Sequence, residues 1–177
     1  MTTSRYVIDT SHSHASFSVR HMMISTVRGE FQAFSGEVTY DAAHPELTAA
    51  AVTLEAASIN TREEKRDAHL RSADFFDVEN HPTITFRSTG AKASADGLVV
   101  TGDLTMHGVT HPVALSVTDI TAEAKDPWGN QRIGGTATTK VKRSDFGLMW
   151  NVALETGGLL VSDEVKITLE LELIKQA

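Results

Sequence analysis

The chain of 177 residues has no cysteine. Disulfides, thiol catalysis, iron–sulfur clusters and cysteine zinc sites are therefore excluded. It has only 4 prolines and 6% aromatic residues, and no apolar run approaches the ~20 residues of a membrane-spanning helix. Positive charge is also short, 16 Lys and Arg against 23 Asp and Glu, for a net charge of −7. That balance speaks against a nucleic-acid partner and against strong electrostatic adhesion to anionic membranes. The opening residues show no basic segment followed by an apolar one. No secretory leader is thus expected in this sequence, and a cytoplasmic location is; a removed leader would instead mean periplasm or secretion.

What is present is alternation. Phe17, Val19 and His21 share one parity. So do Val27, Gly29 and Phe31, then Ile84 and Phe86, and then Leu98, Val100, Gly102, Leu104 and Met106. The pattern returns in Val113, Leu115 and Val117, in Ile133, Gly135, Ala137 and Thr139, and in Val165, Ile167, Leu169, Leu171 and Leu173. Period two marks strands with one dry and one wet face, the habit of antiparallel sheets. Turn signals separate them at Asp41 to Pro45, Asp96–Gly97, His107–Gly108, Asp126 to Gly129 and Gly157–Gly158. Parity switches between Phe31/Ala33 and Phe34/Gly36, which reads as a bulge or bend in one long strand.

A single segment departs from this rhythm. Thr61 followed by Glu64 fits a capping box and predicts a surface helix over about residues 62–72. No linker, repeat or low-complexity stretch divides the chain, so residues 1–177 read as one domain. Two-faced strands must hide their dry faces and edges. A closed barrel does both, and a β-sandwich shares the periodicity. Strands of nine residues, such as Leu98 to Met106, rise roughly 30 Å, or about 23 Å along a tilted barrel, which suits a deep cup.

Several runs resemble the YceI-like family, the lipocalin-like polyisoprenoid-binding proteins of bacteria. They are Asp9 to Ser13, Phe17 to His21, Val27 to Phe31, Arg66 to Asp77, His81 to Thr89, Gly102 to Val113 and Arg143 to Gly147. The run Arg66-Asp67-Ala68-His69-Leu70-Arg71-Ser72-Ala73-Asp74-Phe75-Phe76-Asp77 is the most specific of them. The resemblance implies an all-β, extended antiparallel lipocalin-like barrel that encloses an amphiphile with a long apolar tail and lacks catalytic machinery. Two features depart from the family. This chain shows no leader, and His107 and His111 stand where relatives often carry Arg and Lys.

The expected function is non-enzymatic binding, storage or transport of a long-chain isoprenoid, a polyprenyl species or isoprenoid quinone. A fatty-acid or fatty-amide carrier is the alternative within that class. No cofactor beyond the lipid is expected; brief membrane contact and a homodimer are compatible with this reading. The inward parity set nominates the ligand contacts: Phe17, Val19, His21, Phe31, Ile84, Phe86, Val100, Gly102, Leu104, Leu115, Val117, Ile133, Ala137, Ile167 and Leu169. Small inward positions, Gly29, Gly102, Gly135, Ala137 and Ala56, suggest an interior with room rather than a solid core. Arg143 shares parity with Val141 and so faces the interior near one rim, with Asp145 as its expected ion-pair partner. Asp74 and Asp77 read as capping or solvated carboxylates.

Two readings of another class compete. A lipid-acting cyclase or isomerase would need an inward carboxylate–histidine or carboxylate–tyrosine cluster, and the only tyrosines are Tyr6 and Tyr40. A histidine–metal protein would rest on His12 and His14, which share a strand face, and on His21. No carboxylate constellation accompanies them, so no metal is expected. EDTA should accordingly leave lipid binding and Tm unmoved; a large drop in Tm, reversed by zinc, would reinstate the histidine site.

Overall fold

A computed structural model of the chain describes residues 3–154 and 159–177, so the expected turn at Gly157–Gly158 lies outside the described residues. Twelve strands run β1 (Ser4–Ile8), β2 (His14–His21), β3 (Ser25–Phe31), β4 (Phe34–Tyr40), β5 (Ala49–Glu55), β6 (Ile59–Asn60), β7 (Thr83–Ala93), β8 (Gly97–Met106), β9 (Val109–Thr118), β10 (Ala124–Lys125), β11 (Gln131–Lys142) and β12 (Val161–Lys175). One α-helix, α1 (Glu64–Arg71), separates β6 from β7. No helix among the described residues is long and apolar enough to cross a membrane.

All observed strand pairings are antiparallel, and the sheet closes on itself. The order β11-β9-β8-β7-β5-β4-β1-β12 returns to its start because β11 pairs with β12 from Arg132↔Ile174 to Lys142↔Glu164. Each side chain's face follows from this register. Val141↔Val165, Thr139↔Ile167 and Ala137↔Leu169 point in, while Lys140↔Lys166 and Thr138↔Thr168 point out. At its C-terminal end β12 pairs with β1; nearer its N-terminus it pairs with β2, which carries β3 and β6 outward. The parity switch at Gln32–Ala33 is a bend: β3 follows β2 and β6, then β4 follows β1 and β5.

The helix differs from its expected form. It begins at Glu64, capped by the Glu63 side chain, which accepts from the Arg66 N–H. Thr61 is buried instead, and its N–H and hydroxyl both donate to the buried Asp67 carboxylate at 2.9 and 2.5 Å. Arg62 between them adopts φ 65°, which breaks the backbone path a capping box requires. The helix is also no free surface element. Its Leu70, with Phe75 and Phe76 just after it, covers the barrel interior.

Gly29 and Gly102 take up rings rather than create space, whereas Gly135 and Ala137 do border a cavity. A Cβ on Gly29 would lie 2.5 Å from Phe17 Cζ, and one on Gly102 would lie 2.5 Å from Phe86 Cζ. Ala56, 1% exposed, sits in a 3-10 turn after β5, not on a strand. The β2–β3 hairpin turns through Met22 and Met23 at φ 52° and 60°, the left-handed pair of a primed turn. Without glycine, each of these residues costs roughly 1–2 kcal/mol.

Arg143 is buried, but Asp145 is exposed and makes no pair with it. Its guanidinium instead donates to four backbone carbonyls: Ser162 at 2.9 Å, Leu148 at 2.7 Å, Trp150 at 2.9 Å and Val161 at 3.2 Å. Burial lowers its pKa, partly offset by the Asp163 carboxylate. Here a carboxylate is not needed, because the segment after β11 and the first residues of β12 turn enough carbonyls inward to satisfy a planar five-donor group. Arg143→Met should therefore destabilise the fold by on the order of 2–4 kcal/mol, since it orphans those carbonyls. Urea denaturation checks this; an equally stable variant with altered lipid selection would assign Arg143 to ligand recognition.

Candidate functional site

The barrel interior holds two apolar chambers. The upper one, about 150 Å³, is lined among others by Phe17, Val19, Phe31, Ile84, Leu104, Val165 and Ile167. The lower one, about 90 Å³, is lined among others by Val38, Tyr40, Leu98, Val100, Val117, Ile133, Ala137 and Leu173. Val52, Phe86, Leu115 and Leu169 border both and form the waist between them. Along β12 the lining runs from Val161 to Leu173, roughly 40 Å of strand. Cavities of this size with aliphatic and aromatic walls stay dry and accept apolar guests.

Thirteen of the fifteen nominated residues line a chamber; His21 and Gly102 do not. His21 ends β2, beyond Val19, where the strand passes the rim and pairs with Ser25 and Val161. Gly102 faces inward but lies under the Phe86 ring. Other lining residues escaped sequence reasoning. Val52 and Leu54 sit in an alanine-rich strand whose alternation is faint, although it is present. Leu70, Phe75 and Phe76 were masked by the reading of α1 as a surface helix; the paired phenylalanines after it were the available signal.

The mouth of the upper chamber is built from aromatic side chains and the Arg143 clamp. Phe31 meets Phe17 at 5.8 Å and Phe76 edge-on at 5.9 Å between ring centroids. Trp150 packs on Phe75 at 5.3 Å and edge-on against His69 at 4.6 Å. His69 Nε2 in turn reaches Asp74 at 2.8 Å, so Asp74 orients an imidazole rather than capping a helix. Arg143, at the chamber wall, holds the backbone of Leu148 and Trp150 against the start of β12.

The sequence profile of the YceI-like domain matches residues 6–173. The chain belongs to the YceI-like family. Its relatives include a UPF0312 protein of Ectopseudomonas mendocina, 43% identical over 164 residues, covering 90% of this chain and 85% of that one. A UPF0312 protein of Azotobacter vinelandii is 40% identical over 174 residues, covering 97% and 87%. Among solved structures, the Campylobacter jejuni YCEI protein superposes with a TM-score of 0.74 at 31% identity, covering 89% and 90%. Burkholderia cenocepacia BcnA gives 0.76 at 28%, covering 93% and 98%. A polyisoprenoid binding domain from Saccharophagus degradans gives 0.68 at 17%, covering 99% and 100%, and so shares the fold.

The titratable groups of this YceI-like barrel stand mostly outside the chambers. Among the described residues, only Arg143 and Tyr40 line them. A tyrosine–carboxylate pair does exist: Tyr6 Oη donates to Glu123 at 2.8 Å, with Lys175 Nζ 2.8 Å from the same oxygen. Tyr6 is not a lining residue, and burial with the neighbouring Glu123 pushes its pKa up to about 12, which keeps the proton on. Arg132 binds Asp9 at 2.6 Å, Asp126 at 2.7 Å and Glu172 at 3.0 Å. The Ser11 hydroxyl, Arg132 and His12 hold the Asp9 carboxyl well below the usual carboxylate range.

The structure does not bring His12, His14 and His21 together. His14 and His21 lie at opposite ends of β2, and His12 precedes that strand in a 3-10 turn against Asp9. Among the described residues, two other groups could offer three ligand atoms within 4.8 Å: Asp9, His12 and Glu172, and Asp77, His81 and His107. In the first, Arg132 already pairs with both carboxylates. In the second, Asp77 accepts from Asn80, and His107 Nδ1 contacts the Phe146 carbonyl at 3.0 Å.

Leu104, 8% exposed, lies mid-strand on the upper chamber wall and separates a tunnel from a solid core. Leu104→Trp adds volume that costs roughly 1–3 kcal/mol or more in a filled core. In an open chamber the indole occupies free space. The expected result is a near-normal Tm compared with lipid-stripped wild type, with lipid binding lost or restricted to shorter tails. Asp103→Asn, on the outer face, should bind normally. A strongly destabilised Leu104→Trp protein would mean a solid core.

Proposed function

We propose that this protein binds a long-chain isoprenoid lipid, a polyprenyl species or isoprenoid quinone, inside the barrel, and stores or carries it without chemical change. The observation that carries this reading is the pair of chambers sharing the Val52, Phe86, Leu115 and Leu169 waist, both almost wholly apolar. Family membership supports it, as does the shared fold of a domain described as polyisoprenoid binding. Burial of one five-carbon unit is worth on the order of 4 kcal/mol gross. Several units would pass the practical ceiling of about 20 kcal/mol, so chain ordering and competition from membrane offset much of the gain. Tail recognition is therefore tolerant, and selectivity falls to tunnel width, tunnel length and the mouth.

The non-catalytic reading rests on what lines the chambers. An enzyme acting on the tail would need a proton donor or acceptor beside it. Arg143 is committed to backbone carbonyls, and no carboxylate or histidine among the described residues joins Tyr40 on the lining.

Organic extraction and mass spectrometry of freshly purified protein test the proposal. Near-stoichiometric isoprenoid is the expected result. Fatty acids or fatty amides in its place would reassign the ligand class. An extract without stoichiometric lipid, from protein whose interior proves filled, would sink the carrier reading.

A further inference from the structure

The upper mouth carries apolar side chains that the barrel does not use. At the β2–β3 tip Met22, Met23 and Ile24 are 40%, 66% and 74% exposed. Met149, Val152 and Leu159 stand out at 67%, 47% and 49% on the neighbouring segment. The two parts are joined by backbone bonds, Met22 N–H to the Leu160 carbonyl at 2.7 Å and Leu160 N–H to the Val152 carbonyl at 2.9 Å. They form one exposed apolar edge beside the chamber lined by Val19 and Val161. Isolated exposed apolar residues need no explanation, but a contiguous set does. The tip also keeps two methionines in left-handed backbone, where Asn or Gly would sit without strain.

Charge around this edge is unlike that of the whole chain. Lys140, Lys166, Ser18 and Arg28 are successive cross-strand partners, so the three cations form one row on the outer face of β11, β12, β2 and β3. Nearer the rim on the same face come Arg20, which donates to the Met23 and Ile24 carbonyls, and Lys142. Glu164 lies 3.7 Å from Lys140 among these five cations, Asp145 shares the surface hollow of Lys140 and Lys142, and Glu30 follows Arg28 on the same face of β3; Asp163 is turned to Ser144. The other flank of the mouth, along α1 and the turn after it, mixes signs: Glu63, Glu64, Asp74, Asp77 and Glu79 stand among Arg62, Lys65, Arg66 and Arg71. The hairpin flank joins an apolar tip to a row of three cations.

We propose that this flank docks on an anionic lipid bilayer, with Met22, Met23 and Ile24 entering its apolar layer and the basic row facing the headgroups. The inference rests on the carrier reading for its purpose, since it brings the chamber mouth to the layer where a lipid tail resides. Apolar insertion combined with attraction to anionic headgroups is the physics of peripheral membrane binding. The net charge of −7 does not oppose it, because salt screens charges beyond about 10 Å of the contact.

Flotation with vesicles of phosphatidylethanolamine and phosphatidylglycerol tests docking. Wild type should float with them, less so in high salt, and not with phosphatidylcholine vesicles. Met23→Asp with Ile24→Asp should abolish flotation; Asp tolerates the left-handed position, so the fold should survive. Reversing Lys140, Lys166 and Arg28 to Glu should lower partitioning at least about a hundredfold. Trp128→Ala, at the opposite end, should float normally. Each variant should still take up lipid presented in detergent micelles, which separates docking from cavity binding. Wild type that stays down would overturn docking whatever lipid it holds, and wild type that floats but neither carries nor takes up lipid would leave docking standing while removing the carrier reading. A wild type that ignores vesicles but forms a dimer lost in the Asp variant would assign the edge to a second copy of the chain.

Discussion

The β11–β12 ladder is the constraint on which the rest depends. A sheet whose last strands remain unpaired exposes a row of N–H and C=O groups and cannot seal an apolar interior. Eleven residue pairs from Arg132↔Ile174 to Lys142↔Glu164 remove that edge. Once the ring is closed, period-two alternation sorts every strand residue into lumen or solvent. The interior then differs from a filled core because its apolar side chains leave two chambers between them. Val52, Phe86, Leu115 and Leu169 narrow it without filling it.

Closure creates a second problem at the mouth, where strands end and backbone groups lose their partners. The solution is different on each side. Asp67 caps the buried Thr61 N–H and hydroxyl, fixing the approach to α1, while Arg143 gathers four carbonyls from the β11–β12 connection. Both side chains are buried and charged, and among the described residues no buried side-chain polar atom lacks a partner. The two devices hold opposite walls of the same opening, and the Phe75–Trp150 contact bridges them. An apolar guest therefore meets a mouth whose rigid parts are polar and whose surfaces are aromatic.

The misread residues share a cause. Arg143 beside Asp145 and Thr61 before Glu64 are adjacent pairs in sequence, and short spacing invites a local partner. In each case the actual partner is set by backbone direction: Asp145 turns outward in a 3-10 turn, and Arg62 at φ 65° swings Thr61 toward Asp67. The inward glycines misled in another way. Gly29 and Gly102 looked like room for a ligand and are room for Phe17 and Phe86. Free volume depends on which rotamer fills a gap, and a parity pattern carries no information about that.

The sequence by itself determined the strand faces, the family blocks and most of the chamber lining, because a period of two is a local property of extended backbone. Val100, Leu115, Ile133 and Leu169 could be assigned inward without knowing which strand lay opposite. Tertiary structure alone decided that the sheet is a barrel and not a sandwich, since closure is a pairing between β11 and β12 that periodicity does not encode. It also decided that His12, His14 and His21 stay apart, because residues seven apart on one strand lie roughly 23 Å apart and on opposite faces. The row Lys140, Lys166 and Arg28 is of the same kind. Its members are scattered through the chain, and only strand register makes them neighbours.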